Sequence, residues 1–168
     1  MSDPSQNPKT LPIDWPKFYA AVESLSVPMP TYAPGEPADL GDLRRLLCKV
    51  QDNRDRGNRL LNSILQRLAE AKRNRDIAKT TLRVERVTYA SDPQILALRS
   101  AAERRQSIDE LGVPLVTKIG FLESRIAELG IARECVENAL RSLETAKETL
   151  NAIHRQTLVE IERLGGNV

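Results

Sequence analysis

Apolar residues recur every three or four positions between residues 39 and 89, a stretch with no proline. In the series of such positions that begins at Leu40, ten of thirteen side chains are apolar. This spacing predicts one long amphipathic helix whose apolar stripe forms a coiled-coil seam. Arg54 and Gly57 interrupt the stripe, so we expect the helix to fray or kink near residues 52–58.

The chain stops and restarts at Ser91, Asp92 and Pro93. Ser91 or Asp92 can accept the free N–H groups of a helix start, and Pro93 fits the first turn, where its missing N–H is not needed. The same rhythm then resumes, is broken or kinked at Gly112–Pro114, and continues almost to the end of the chain. Short connections favour antiparallel packing of long helices. Residues 39–168 are therefore predicted to be all-α, a long antiparallel helical hairpin, coiled-coil-like, with a kinked returning helix.

A Pro-rich arm, residues 1–38, precedes the hairpin and holds eight of the ten prolines. Proline fixes φ and disfavours helix in the residue before it, so most of the arm is expected to be extended. Within it, Asp14 can cap a short helix from Trp15 to about Leu25 that has an apolar side. The arm is therefore predicted to dock on another surface.

Self-assembly is the expected consequence of this architecture. A two-helix hairpin leaves apolar surface exposed on both sides unless other copies cover it, so we expect a homo-oligomer. The contacts are assigned to the short arm helix and to the returning helix. The residues are Trp15, Phe18, Tyr19, Val22, Leu122, Ile126 and Leu129.

The residues that most catalytic sites require are scarce. His154 is the only histidine, no Cys or His cluster has metal-ligand spacing, and no Gly-rich phosphate loop is present. We therefore expect no enzyme activity, no metal and no cofactor. No apolar run is long enough to span a bilayer and the first residues lack the pattern of a signal peptide. Cys48 and Cys135 are expected to be buried and reduced, which favours a cytoplasmic location.

Positive charge is concentrated in the centre of the chain. The net charge is +2, but the segment from Arg44 to Arg86 carries +8, between flanks of −4 and −2. A basic helix face can follow a phosphate backbone, and such binding weakens as salt rises. An ordinary solvated face, or one paired with acidic residues of the returning helix, is the alternative. The candidate nucleic-acid-binding residues are Arg67, Lys72, Arg73, Arg75, Lys79, Arg83 and Arg86.

The layout resembles the UvsY-type recombination mediators of phages. The similarity lies in Ile13-Asp14 with Glu23-Ser24-Leu25-Ser26-Val27-Pro28, in the basic Lys72-Arg73-Asn74-Arg75, and in the returning helix from Ile119-Gly120-Phe121-Leu122-Glu123 through Arg133 to Leu143. The resemblance implies a ring-like homo-oligomer of helical hairpins that binds single-stranded DNA and loads a RecA-class recombinase in the host cytoplasm. The resemblance also implies that Lys72, Arg73 and Arg75 contact DNA phosphates, with Lys79 and Arg83 in support.

Two other functions fit the same pattern. A structural or assembly subunit of a virion or other large complex would use the aromatic, Pro-rich arm as a strap on a neighbouring subunit. A helical adaptor or regulator would instead present the basic face to an acidic protein partner.

Overall fold

The computed structural model describes residues 12–31 and 38–165, with Leu164 and Gly165 described only as backbone. Four helices form in this part: α1 (Trp15–Glu23), α2 (Leu40–Ala90), α3 (Pro93–Leu96) and α4 (Ala101–Gly165). No strand occurs among the described residues, and α2 packs against α4 as the predicted all-α helical hairpin. The remainder of the predicted arm, residues 1–11 and 32–37, lies outside the described residues.

Side-chain caps explain where the helices begin. Asp39 accepts hydrogen bonds from the backbone N–H groups of Gly41 (2.6 Å) and Asp42 (3.1 Å) at the start of α2. Asp92 caps α3 by accepting from Gln94 N–H at 2.7 Å, as its position before Pro93 predicts. The Asp14 side chain does the same for α1, which ends at Glu23 and not at Leu25.

A capping box starts α4. The Ser100 Oγ accepts from the Glu103 backbone N–H at 3.1 Å, and the Glu103 carboxylate accepts from the Ser100 N–H at 3.2 Å. Of the break or kink that we expected at Gly112–Pro114, the break is wrong, because α4 runs through Pro114 without interruption. The chain interrupts its helices at 97–100 instead. Gly112 is buried with Leu82 beside it, and this packing holds the segment helical.

The fraying predicted near residues 52–58 is also wrong, because α2 is continuous there. Gly57 is buried, and a Cβ at this position would lie 2.7 Å from Leu140 Cδ2. The glycine therefore admits a leucine of the partner helix instead of interrupting the seam.

The chain divides into two compact units, which we name by their contents. The arm unit comprises Ile13–Ile64 and the chain from Ala132 onward. Its core is a cluster of buried apolar residues contributed by α2, by α4 and by two positions of the arm. The members are Leu25, Ala38, Leu43, Val50, Leu143 and Leu150.

A buried amide ties the arm to this core. Asn53 is 3% exposed, and its Nδ2 donates to the backbone carbonyls of Leu25 at 2.9 Å and Ser24 at 3.4 Å. Buried polar groups are costly unless bonded, so these hydrogen bonds hold the end of α1 against α2. Leu25, two residues beyond the end of α1, inserts into the cluster. The prediction of a docked arm is confirmed for this segment.

The turn unit contains Leu65–Ile131 and so carries the connection between α2 and α4. Its buried apolar residues are Leu68, Ala71, Ala78, Ile95 and Leu129, two of which are alanines. A seam of small residues contributes less apolar burial per turn than one of leucines. All seven basic residues assigned to nucleic-acid binding lie in this unit.

Candidate nucleic-acid interface

The turn unit carries a row of cations along one side of α2. Lys72, Lys79 and Arg86 follow one another at seven-residue intervals, which returns each side chain to nearly the same side of the helix. Arg83 lies one turn from both Lys79 and Arg86, and all four residues are exposed. These four residues are the cationic flank. It extends over about four turns of α2.

Two members of the cationic flank pair with acids of α4. Lys79 Nζ lies 2.7 Å from Glu123 Oε1, and Arg86 Nη2 lies 2.9 Å from Asp109 Oδ1. The side chains of both pairs are about half exposed or more, and ion pairs in water contribute little net stability. The cations can therefore exchange these carboxylates for other anions. Lys72 and Arg83 form no ion pair with any residue that the structure describes.

Glu123 responds electrostatically to this surface. The hydrogen bond from Lys79 lowers the pKa of Glu123 below its ordinary value, and the charges of Lys79 and Arg75 lower it further. The carboxylate is therefore fully ionised at neutral pH. A phosphate that approaches Lys79 has to compete with Glu123 for the ammonium group.

Arg75 is not on the cationic flank, although the sequence placed it on the same face as Lys72. It belongs to the 3–4 series of buried Ala71 and Ala78, and only 28% of its side chain is exposed. Its Nε and Nη2 both donate to Asp76 Oδ1, at 2.9 and 2.6 Å. Of the face predicted at 72, 75, 79, 83 and 86, position 75 is wrong because it faces the helix–helix seam.

Arg67 and Arg73 occupy two further surroundings. Arg67 is half-buried and lines a cavity of about 30 Å³ with Phe121 and Arg125, among others. Burial lowers the pKa of Arg67, and the like charge of Arg125 lowers it further. Arg73 is exposed at the end of an uncharged row on α2. The seven predicted cations therefore do not form one surface.

The uncharged row is a feature that the sequence pattern did not bring out. Ile77, Thr80, Val84 and Val87, which we call the α2 strip, recur at 3–4 spacing on the side of α2 away from the buried seam. Ile77 is 54% exposed, Val84 59% and Val87 67%. The signal was present as a second 3–4 series, offset from the first, but the stronger leucine series concealed it.

The residues predicted for arm and oligomer contacts fall into two groups. Trp15, Phe18 and Tyr19 form a ring cluster on α1, with centroids 5.5–5.8 Å apart, and no residue of α1 is buried. Val22 lines a groove with Val27 and Leu143, among others. By contrast Leu129 is buried within its own chain, and Leu122 and Ile126 are half-buried. These three α4 residues recur at 3–4 spacing on one side of α4, and their assignment to oligomer contacts stays a prediction.

Residues suited to other chemistry are dispersed. Among the described residues, no three His, Cys, Asp or Glu side chains are grouped so that they could hold a metal ion. Both cysteines are free thiols, but Cys48 is exposed and Cys135 half-buried, so the expected burial of Cys48 is wrong. None of the helices in the described part of the chain has the length and apolarity needed to cross a membrane.

No family model matches this chain, and comparison with curated proteins and with solved structures gives no match either. What the chain does therefore has to be inferred from its own side chains and their surroundings.

Proposed function

We propose that this chain is a non-enzymatic, self-assembling helical protein that binds single-stranded DNA on the cationic flank of α2. In keeping with its resemblance to UvsY-type mediators, it assists a RecA-class recombinase on that DNA in the cytoplasm of its host. The observation that carries the proposal is the cationic flank itself. Lys72, Lys79, Arg83 and Arg86 are exposed along four turns of one helix.

The chemistry of the flank suits a flexible anionic strand. Lysine and arginine neutralise phosphates without reading bases, and the release of counterions favours the complex at low salt. Exposed Arg guanidinium groups can also stack on bases that are not paired. A single flank of four cations binds weakly, and self-assembly multiplies the phosphate interactions along one strand.

Fluorescence anisotropy with a labelled oligonucleotide at two salt concentrations tests DNA binding. Lys72→Ala/Arg83→Ala removes two exposed cations that have no described ion-pair partner, so the hairpin itself is left intact. We expect weaker binding and a log–log salt slope that is shallower by about 0.7 for each phosphate that is no longer neutralised.

The matched control is Lys49→Ala/Arg56→Ala, which removes the same charge from exposed positions of α2 in the arm unit. The control is expected to bind like the parent chain. Equal weakening in the two double variants would show only a general charge effect and would contradict a site on the flank. So would unchanged binding of Lys72→Ala/Arg83→Ala.

The recombinase part of the proposal needs a separate measurement. A RecA-class ATPase assayed on DNA already covered by a single-strand-binding protein should be stimulated by the parent chain and much less by Lys72→Ala/Arg83→Ala. Absence of stimulation by the parent chain, with DNA binding intact, would remove the recombinase and leave the DNA-binding role.

A structural or assembly subunit is the second candidate, and the aromatic cluster of α1 favours it. Trp15 stacks on Tyr19 at 5.5 Å, yet Tyr19 is 46% exposed and α1 has no buried residue. Exposed rings of this kind are common anchors at protein interfaces. Trp15→Ser/Tyr19→Ser keeps Leu25 in the core, so light scattering on this variant isolates the strap. A smaller particle supports the assembly role, and an unchanged mass removes it.

A further inference from the structure

The α2 strip is exposed in the described structure, and Asp76 and Glu85 border it. Its four residues carry no charge and repeat the 3–4 spacing of the buried seam on the other side of the same helix. Helices that are apolar on a second stripe usually bury that stripe against another helix. The strip therefore points to a helical partner.

A second uncharged strip lies on the outward side of α4 in the same unit. Val113, Thr117, Gly120 and Ser124 recur at 3–4 spacing and all are exposed; these four residues are the α4 strip. Phe121 borders the strip and is 61% exposed. No side chain lies within 4 Å of the position that a Cβ on Gly120 would take. Small residues of this kind allow another helix to approach closely.

Pairings across the hairpin fix which levels of the two helices coincide. Lys79 pairs with Glu123 and Arg86 with Asp109, while Leu82 lies beside Gly112. The two helices are therefore antiparallel, so residue numbers increase along α2 in the direction in which they decrease along α4. The two strips lie at the same height of the turn unit to within about one helical turn.

A second hairpin set alongside at the same height brings three levels of the two strips together, while Val87 comes level with Glu110, beyond the α4 strip. Ile77 comes level with Gly120 and Phe121, Thr80 with Thr117, and Val84 with Val113. Ile77 thus meets the open surface at Gly120, and the other two levels bring Thr against Thr and Val against Val, so no charged side chain is set against another at these three levels.

Charge is complementary at one end of this alignment. Arg73, one turn before Ile77, is exposed and has no ion pair with a described residue. In the same register it comes level with Ser124 and one turn from Glu128, whose side chain is 41% exposed and already pairs with Arg125 of its own helix at 2.9 Å, so Arg73 would share this carboxylate. Opposite charges at the rim of an apolar interface favour one register and disfavour others.

We infer that the α2 strip of one copy docks on the α4 strip of a second copy, in a head-to-tail interface between turn units. Because the two strips differ, each copy offers one of each, and repetition builds a row that can close. The cationic flank lies beside the interface and not within it, so a row repeats the flank. The inference deepens the self-assembly part of the proposed function and does not depend on DNA binding.

Disulfide trapping tests the register. In a Cys48→Ser/Cys135→Ser background, one sample carries Thr80→Cys and another carries Thr117→Cys. We expect a covalent dimer in the oxidised mixture and none in either sample alone. Thr80→Cys mixed with Ala127→Cys is the out-of-register control, since ten residues of helix separate the α4 positions by about 15 Å, beyond the reach of a disulfide.

A covalent dimer in the Thr80→Cys sample alone would show that α2 meets α2 and would overturn the head-to-tail interface. No dimer in the mixture, or equal amounts with the out-of-register control, would overturn it as well.

Light scattering provides an independent test that needs no cysteine. Val84→Glu should reduce the particle to the mass of one chain, whereas Val159→Glu, a similarly exposed valine of α4 in the arm unit, should not. A monomeric parent chain, or an unchanged Val84→Glu particle, would contradict the interface. If these tests contradict the interface but oligonucleotide binding is salt-sensitive, only the interface is overturned. If the interface is found but the oligonucleotide does not bind, only the DNA-binding proposal is overturned.

Discussion

The two units use the same pair of helices in different ways. The arm unit buries nine of the fourteen apolar core residues found in the described chain, among them Leu43, Val50 and Leu150. The turn unit buries five and exposes ten of the fifteen large apolar side chains that are exposed. A third layer from the arm covers the first unit, and the second has none among the described residues. Stability is therefore concentrated in the arm unit, while the turn unit leaves more of its apolar surface exposed.

The largest effect that tests this contrast comes from matched leucines on α2. Leu43 is fully buried in the arm unit, and Leu65 in the turn unit is 41% exposed. We expect Leu43→Ala to lower the free energy of unfolding by about 3 kcal/mol and Leu65→Ala by about 1 kcal/mol or less. Urea denaturation followed by circular dichroism measures both. Similar decreases would show that the two units contribute equally to stability.

Removal of the buried amide should come next in size. Asn53→Ala deletes the donor to Leu25 and Ser24 and leaves a small void, so we expect the free energy of unfolding to fall by about 2 kcal/mol. We also expect α1 to detach from α2 in this variant. Trp15 fluorescence and limited proteolysis of the arm measure this detachment. A stable chain with the arm still protected would mean that Leu25 alone holds α1.

Two glycine substitutions sharpen the comparison at smaller scale. Gly130 is in a helix, and nothing lies within 4 Å of the position that an added methyl group would take, so Gly130→Ala should stabilise the chain by about 1 kcal/mol. Gly57→Ala gains the same helix propensity but forces Leu140 to move, so we expect a net destabilisation of about 1 kcal/mol. Thermal unfolding of the pair measures the difference. A stabilising Gly57→Ala would show that Leu140 can repack freely.

The smallest effect concerns the charge of Glu123. Its pKa is lowered in the folded chain, so the unfolded state binds the proton more readily. The stabilisation is present above the ordinary carboxyl pKa and is lost as pH falls through the lower folded value. Lys79→Gln should raise the pKa of Glu123 toward its ordinary value, and carboxyl NMR titration detects this. An oligonucleotide that binds Lys79 in place of Glu123 should also raise the pKa of Glu123. A pKa of Glu123 that does not change when the oligonucleotide is added would exclude Lys79 from the DNA interface.

The helical hairpin was accessible from sequence because a 3–4 series of leucines over dozens of residues has no other common interpretation. The stop and restart at Asp92 and Pro93 was accessible as well, but the interruptions expected near Gly57 and at Gly112–Pro114 were wrong. Gly57 and Pro114 are helix breakers by local preference, but both lie inside helices here, because packing against Leu140 and around Gly112 outweighs that preference. Ser100 and Glu103 form the capping box that marks the true start of α4, and their three-residue spacing is the signal that could have located it.

The cations were found by composition, but their surroundings were not. Lys72 and Arg83 are exposed as expected, whereas Arg75 faces the seam and Arg67 lines a cavity. Residues that recur at three- and four-residue spacing spread over more than a third of the helix circumference. The spacing alone therefore does not distinguish residues of the exposed flank from residues of the buried seam. Which acids of α4 meet Lys79 and Arg86 depends on the register, and charge counts carry no information about register.

Register itself has a physical origin in Gly57. Heptad seams repeat, and two such helices could in principle slide past each other by one repeat with their leucines still packed together. Leu140 packs into the space that the absence of a side chain at Gly57 leaves on α2. A slip of seven residues would set Arg133 or Lys147 over the glycine and press Leu140 onto Val50 or Ile64. The absence of a side chain at Gly57 thus selects a single register for two helices whose apolar seams otherwise repeat.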